Sequence, residues 1–138
     1  LGVKAELEVC DVGQSEIAKH LIAAGLVSGR PLFQLCMGIA WGAPATTEAM
    51  VAMKAALPAD ADWAAFAISR MEFPWVAQAA LLGGHCRVGL EDNLYLARGR
   101  LATNGELVER AVRILDAIGV GVMTPVEARA RLDLRKRG

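Results

Sequence analysis

The segment GGHCRVGLEDN, residues 83–93, concentrates ionisable side chains in a chain that is otherwise largely apolar. Arg87 precedes two adjacent carboxylates, Glu91 and Asp92, and the intervening Gly89 permits a sharp bend between them. An arginine that pairs with an aspartate keeps it ionised and oriented, so that the aspartate can act as a base or position one. Glu91, expected to point elsewhere, is then free to bind a metal ion. The alternative is a buried structural ion pair.

A second candidate residue lies in the first strand-like run, ELEVCD, residues 6–11. Strand alternation places Glu6, Glu8 and Cys10 on one face. Carboxylates on a buried strand are costly unless they are paired or bound to something. Glu6 fits a solvent-exposed strand start, whereas Glu8 is the candidate site residue.

Two glycines, Gly38 and Gly42, occur in the segment MGIAWGAPATTE, residues 37–48, after the second strand-like run. In a loop at the carboxyl end of a strand, glycines let backbone N–H groups approach a substrate closely. We therefore consider both as substrate-binding candidates. A turn that requires positive φ explains each of them equally well.

Strand-like and helical runs alternate four times along the chain, which is the pattern of a parallel sheet built from βα units. The strand-like runs are AELEVC, PLFQLCM, DWAAFAIS and CRVGL, and the helical ones are SEIAKHLIAAG, TTEAMVAMKAAL, FPWVAQAALLG and NGELVERAVRILDAIG. The fourth strand is expected from about His85 to Val88. Capping boxes at Thr103 and Thr124 predict the starts of the last long helix and of a short terminal helix through Leu132.

No strand precedes a glycine-rich phosphate loop, which argues against dinucleotide and P-loop folds and favours a closed barrel of βα units. Such a barrel needs eight units and about 250 residues, so four units in 138 residues amount to half of one. An apolar content of 54%, a mean hydropathy of +0.35 and the opening Leu1 fit a part of a longer chain.

Composition argues against several classes of partner. Arg70 and Glu72 interrupt the most apolar region, so no run is long enough to span a membrane. Fifteen basic and fifteen acidic residues balance, which argues against nucleic-acid binding, and the basic terminus RLDLRKRG is expected to be a solvated tail. Cys10, Cys36 and Cys86 have no metal-ligand spacing and suit a reducing, cytoplasmic setting.

Several segments together resemble the beta-keto acid cleavage enzymes, the family that includes 3-keto-5-aminohexanoate cleavage enzyme. The most specific is GGHCRVGLEDNLYL, followed by LATNGELVERAVRI and TPVEARARL; ELEVCDVG, PLFQLCMGIAWGAPAT and FAISRMEFPWVAQAALLGGH precede them in the family's order. The resemblance implies a (βα)8 TIM barrel, of which residues 1–138 are the second, C-terminal half and the N-terminal half is absent.

The resemblance also implies a reaction and roles for individual residues. Family members use a divalent metal, usually zinc, and condense a beta-keto acid with acetyl-CoA by retro-Claisen chemistry, releasing acetoacetate and a new acyl-CoA. Glu91 corresponds to the carboxylate metal ligand, and Arg87 with Asp92 to a catalytic arginine–aspartate dyad. Glu8 matches a strand glutamate of the family.

The family's paired histidine ligands, H-x-H, do not occur in this chain, whose histidines are His20 and His85. We expect His20 on a helix surface, His85 at a strand start, and the paired ligands on the missing half. Because half a barrel exposes edge strands and apolar interior, a homo-oligomer is expected. Two alternatives remain: a catalytically incomplete, self-associating module, and another metal-assisted carbon–carbon lyase or a phosphate-binding barrel using Gly89 and Ser69.

Overall fold

The computed structural model describes residues 3–134 as an α/β unit built on one parallel sheet. The sheet has four strands in the sequential order β1-β2-β3-β4: β1 Glu6–Val9, β2 Leu32–Met37, β3 Asp62–Ala67 and β4 His85–Cys86. Five helices accompany it: α1 Val12–Ala23, α2 Thr47–Ala55, α3 Glu72–Leu81, α4 Asn104–Ala117 and α5 Pro125–Arg131. The predicted alternation of strands and helices is confirmed.

The two faces of the sheet differ in chemistry because the strands are in register. Glu8, Gln34, Ala64 and His85 are successive partners across the four strands and therefore share one face. The opposite face carries mainly apolar residues of the strands, which form the main core with residues of α1, α2 and α3. Its buried members are Val9, Ala18, Phe33, Leu35, Met37, Met50, Met53, Trp63, Ala65, Ala67, Trp75 and Ala79. The first three helices thus cover one face, and the other carries the polar groups.

Local capping chemistry explains where the helices begin. Thr103 and Thr124 both form complete capping boxes, with Glu106 and Glu127 respectively, as the sequence predicts. Hydrogen bonds from the two threonines lower the pKa values of both glutamates. Helix α1 begins earlier than expected because the side chain of Asp11 accepts from the Gln14 backbone N–H at 2.8 Å. Asp11 is therefore a helix cap rather than a strand residue.

Two features differ from the sequence prediction after β3. Strand β4 ends at Cys86 instead of Val88, although the Arg87 N–H still donates to the Ala65 carbonyl at 3.3 Å. A two-stranded antiparallel hairpin, β5 Tyr95–Ala97 and β6 Arg100–Leu101, was not predicted. Its strands are too short for alternation to be recognised, and only the turn residue Gly99, at φ 73°, marks it in the sequence.

The terminal helix α5 buries none of its side chains and is held by polar contacts. Arg131 and Arg30 form ion pairs with the buried Asp62 at 2.8 and 3.2 Å, and Lys4 donates to the Leu132 carbonyl at 2.8 Å. Arg131 is therefore not part of a solvated tail. Leu1 and the end of the basic terminus, residues 135–138, lie outside the described residues.

None of the helices within residues 3–134 has the length and apolar character needed to cross a membrane.

Replacing Thr103 with alanine should lower the free energy of unfolding by about 1 kcal/mol, because it removes the cap of a helix that buries Leu107, Ala111 and Leu115. Thr124→Ala removes the same kind of cap from α5, which buries nothing, and serves as the matched control. Denaturant titration of both variants measures the difference. Equal losses would contradict the view that α4 belongs to the cooperative core and α5 does not.

Candidate functional site

Arg87 is the centre of the candidate site, directly after β4 at the carboxyl edge of the sheet. In the extended register it follows His85 by two positions, so it lies on the polar face. Its guanidinium carbon is 4.1 Å from the centroid of the Phe66 ring, a cation–π contact that fixes the plane of the group. The three carboxylates predicted from the sequence, Glu8, Glu91 and Asp92, all lie within ion-pair distance of this guanidinium.

Asp92 holds Arg87 through both of its oxygens. Arg87 Nε donates to Oδ2 at 2.9 Å and Nη2 donates to Oδ1 at 2.8 Å, which is the bidentate geometry that arginine forms best with carboxylates. The Asp92 side chain is only 2% exposed. The pair expected from the sequence therefore forms, and it leaves the carboxylate enclosed with both oxygens engaged.

Glu8 and Glu91 bind the same guanidinium from more open positions. Arg87 Nη1 lies 3.2 Å from an oxygen of Glu8, and Nη2 lies 3.1 Å from an oxygen of Glu91. Their side chains are 48% and 83% exposed. The expectation that Glu91 points away from the arginine is wrong. The chain turns after Gly89, whose carbonyl accepts from the Asp92 and Asn93 N–H groups, and Glu91 pairs with Arg87.

Arg87 thus faces three carboxylates with a single positive charge. Hydrogen bonding to Asp92, above all, raises the pKa of the guanidinium, and the charges of Glu91 and Glu8 act in the same direction against partial desolvation. Arg87 therefore stays charged.

The loop that carries Glu91 and Asp92 is positioned by Glu72, a residue that the sequence analysis did not assign to the site. Glu72 is fully buried at the start of α3; it accepts from the Gly89 N–H at 2.9 Å and from Asn93 Nδ2 at 3.1 Å. Burial raises its pKa in spite of these two hydrogen bonds. The sequence carried one sign of this role, since Glu72 is a single acidic residue between apolar residues in RMEFPW, residues 70–75.

Ser69 holds the same loop from a strained backbone. It has φ 60°, in the left-handed region that non-glycine residues seldom adopt, and its N–H donates to the Asp92 carbonyl at 2.7 Å. Gly89, proposed together with Ser69 as a phosphate-binding residue, already donates its N–H to Glu72.

Glu8, Cys10 and Cys36 form a group in which one potential ligand atom of each lies within 4.8 Å of the others. Burial, followed by the proximity of Cys10 and the charges of Glu8 and Asp92, raises the pKa of Cys36 to about 12, so this thiol is protonated at neutral pH. Glu91 belongs to no such group within residues 3–134. Since catalytic zinc normally has three protein ligands, Glu91 could hold such an ion only together with ligands from elsewhere.

The remaining sequence candidates lie nearby or have ordinary structural explanations. Gly38, at φ 83°, donates its N–H to the Ala43 carbonyl, and a Cβ at Gly42 would lie 2.9 Å from the Cys10 carbonyl oxygen. Both glycines are required by the loop itself, and their role in substrate binding stays a prediction. As expected, His20 is exposed on α1 and His85 is half-buried at the start of β4.

Gln34 is a further polar residue on this face that sequence reasoning missed. It is 2% exposed, it pairs in register with Glu8, and its Nε2 has no hydrogen-bond partner among residues 3–134. A buried donor without an acceptor is costly, about 1–3 kcal/mol. The free Gln34 Nε2 donor therefore suits the polar face of the sheet to contact with a hydrogen-bond acceptor.

A match to a protein-family profile identifies the family to which this sequence belongs. The profile described as beta-keto acid cleavage enzyme matches residues 1–134. The chain belongs to the beta-keto acid cleavage enzyme family. The resemblance carried by the RVGLEDN segment is thereby confirmed.

Individual relatives of known activity agree with the family assignment. The chain is 45% identical over 137 residues to 3-dehydrocarnitine:acetyl-CoA trimethylamine transferase of Rhizobium meliloti, covering 99% of this chain and 46% of that protein. It is 39% identical over 136 residues to 3-keto-5-aminohexanoate cleavage enzyme of Acetoanaerobium sticklandii, covering 98% and 50%. It is 34% identical over 136 residues to 3-oxoadipate:acetyl-CoA acetyltransferase of Cupriavidus necator, covering 96% and 48%. The chain thus spans about half the length of these relatives.

Replacing Glu72 with alanine should cost about 1–3 kcal/mol of unfolding free energy, because the Gly89 and Asn93 donors lose their buried acceptor. Glu109→Ala, on the exposed side of α4, is the control. Denaturant titration of the two variants gives the comparison, and equal stability would show that Glu72 does not hold the loop.

The pH dependence of this contribution has a definite sign. The folded pKa of Glu72 is raised above its unfolded value, so its contribution is fully present below the ordinary glutamate pKa and is lost as pH rises through the folded value. Wild type should therefore gain stability relative to Glu72→Gln as pH falls from neutral. A constant difference across that range would contradict the raised pKa.

Proposed function

We propose that the protein containing this chain condenses a beta-keto acid with acetyl-CoA, giving acetoacetate and a new acyl-CoA. The bond between the keto carbon and the carboxylate-bearing methylene breaks; the methylene gains the acetyl group, and the keto carbon is transferred to the CoA sulfur. The observation that carries the proposal is the guanidinium of Arg87, held by Asp92 and shared with Glu8 at one end of the sheet. Two of the three relatives carry acetyl-CoA in their names, which supports the proposal.

The proposed architecture is the second half of a (βα)8 barrel. Four parallel strands in sequential order, helices packed on one face and charged residues on the other are what such a half requires. Coverage of only 46–50% of the relatives supports the same interpretation. Active sites of these barrels lie at the carboxyl ends of the strands, where Arg87, Glu91 and Asp92 follow β4.

The geometry suggests a division of roles within the cluster. Asp92, enclosed and with both oxygens on Arg87, acts as a positioning residue that fixes the guanidinium. Arg87 then binds the negative charge of the substrate and of the enolate formed from it. Glu8, half-exposed and hydrogen-bonded by one oxygen only, accepts the proton from the methylene and returns it to that carbon after the bond to the keto carbon has broken.

Glu91 is the residue of this chain that would hold a divalent metal, with zinc as the family's usual ion. Its side chain is 83% exposed at the mouth of the site and keeps one oxygen free of Arg87. When bound, the metal would act as a Lewis acid toward the keto oxygen. Two further ligands must come from residues outside this chain's described part, consistent with its being half of a barrel.

Association is a further part of the proposal. Among the described residues β1 and β4 each pair on one side only, so both edges of the sheet offer unpaired backbone groups. We propose that these edges are covered by the other barrel half and that the complete protein is a homo-oligomer. The three free thiols support a reducing, cytoplasmic location.

Glu8→Gln in the full-length protein should lower kcat by about 10²- to 10⁴-fold, because the proton acceptor is gone. Asp92→Asn should also lower kcat, since it misplaces Arg87. Glu6→Gln, on the same face of β1, is the control. Steady-state assays with acetyl-CoA and a panel of beta-keto acids provide the data; an unchanged kcat in Glu8→Gln would show that another residue is the base.

Glu91→Ala should remove most of the bound divalent metal, whereas Asp92→Asn should retain it. Metal content of the purified full-length proteins, by mass spectrometry, separates the two roles without relying on activity. Metal retained in Glu91→Ala would exclude this residue as a ligand.

A further inference from the structure

A cavity of about 510 Å³ lies beside the candidate site and contributes nothing to the chemistry described above. Its walls come from the segment after β3, from the start of α3, from the loop after β4, from the hairpin and from α4. The lining residues are Ser69, Arg70, Phe73, Asn93, Tyr95, Leu96, Ala97, Arg98, Gly99 and Arg110. Three of them are arginines and none is acidic, so the cavity attracts anions.

The three arginines are presented in two ways. Arg110 is fixed: Nη1 donates to the Leu96 carbonyl, and its guanidinium carbon lies 4.0 Å from the centroid of the Phe73 ring. Arg70 and Arg98 are exposed, and neither forms a salt bridge within the described part of the chain. One anchored and two unpaired guanidiniums suit a ligand with more than one phosphate group.

The cavity adjoins the site through two shared residues. Ser69 lines it and donates its N–H to the Asp92 carbonyl, and Asn93 lines it while hydrogen-bonded to Glu72. A ligand that reaches from the cavity toward Arg87 therefore passes along the loop that positions Asp92. Such a ligand must be elongated, with its anionic end in the cavity and its reactive end at the cluster.

We propose that this cavity binds the phosphorylated nucleotide end of acetyl-CoA, with Arg70, Arg98 and Arg110 on its phosphates. The inference rests on the proposed function and identifies where its co-substrate is held. The half-exposed ring of Tyr95 offers a surface for stacking the adenine base. The thioester end lies across Asn93 and Ser69, at the carboxylate cluster.

The test uses single Arg70→Ala and Arg98→Ala variants and their double variant in the full-length protein. Arg113→Ala is the matched control, because Arg113 is exposed on α4, forms no ion pair with residues 3–134 and does not line the cavity. Each cavity variant should raise KM for acetyl-CoA about tenfold relative to KM for the beta-keto acid, as expected for the loss of one charge-assisted contact. An equal effect in Arg113→Ala, or no effect in either cavity variant, would overturn the proposal.

Titration calorimetry with CoA, dephospho-CoA and inorganic phosphate separates this inference from the reaction itself. If Arg70→Ala and Arg98→Ala weaken CoA binding, the proposal that the cavity binds CoA is supported. If the protein then turns over no beta-keto acid, only the proposed reaction is rejected. If turnover continues and the arginine variants bind CoA as tightly as wild type, the cavity proposal is rejected and the proposed reaction stands. Inorganic phosphate binding as tightly as CoA would identify a simple phosphate site and also reject the proposal.

Discussion

The shared guanidinium of Arg87 is the interaction on which the candidate site depends. Asp92 occupies two of its donors in a bidentate pair, and Glu8 and Glu91 approach from the open side. The buried carboxylate of Asp92 is acceptable because this cation compensates its charge, whereas Glu8 and Glu91 also reach solvent. The arginine in turn is fixed by the Phe66 ring beneath it. The strand ends and the following loop are therefore organised around a single charged plane.

That arrangement requires a loop with little freedom, and two buried features limit it. Glu72 holds both ends of the segment through Gly89 and Asn93, and the strained Ser69 holds its middle through the Asp92 carbonyl. Both residues precede or begin α3, so the helix that packs behind β3 also determines where the acidic pair lies. The site is thus supported from the neighbouring βα unit rather than from its own strand.

Those features of the fold and the site that depend on a local sequence pattern could be predicted from the sequence. Strand and helix alternation gave the sheet, Thr103 and Thr124 gave two helix starts, and Arg87 followed by Asp92 gave the central pair. Glu72, Gln34 and the hairpin could not be found in this way. A buried acid or amide looks the same in sequence as an exposed one. Its structural role depends on partners such as Gly89 and Asn93, which come close to it only in the folded chain. The direction of Glu91 likewise depends on how tightly the chain turns at Gly89.

At the opposite end of the sheet, the ion pairs of Asp62 have a consequence for how the molecule responds to its surroundings. Helix α5 buries no side chain, and Asp62 links it, through Arg131, to the base of β3. Ionic strength screens such a contact where its arginine is partly exposed, whereas it leaves the apolar packing of α1, α2 and α3 intact. Concentrated salt should therefore loosen α5 as a separate step before the sheet responds, so that α5 is the described element most sensitive to the ionic strength of its surroundings.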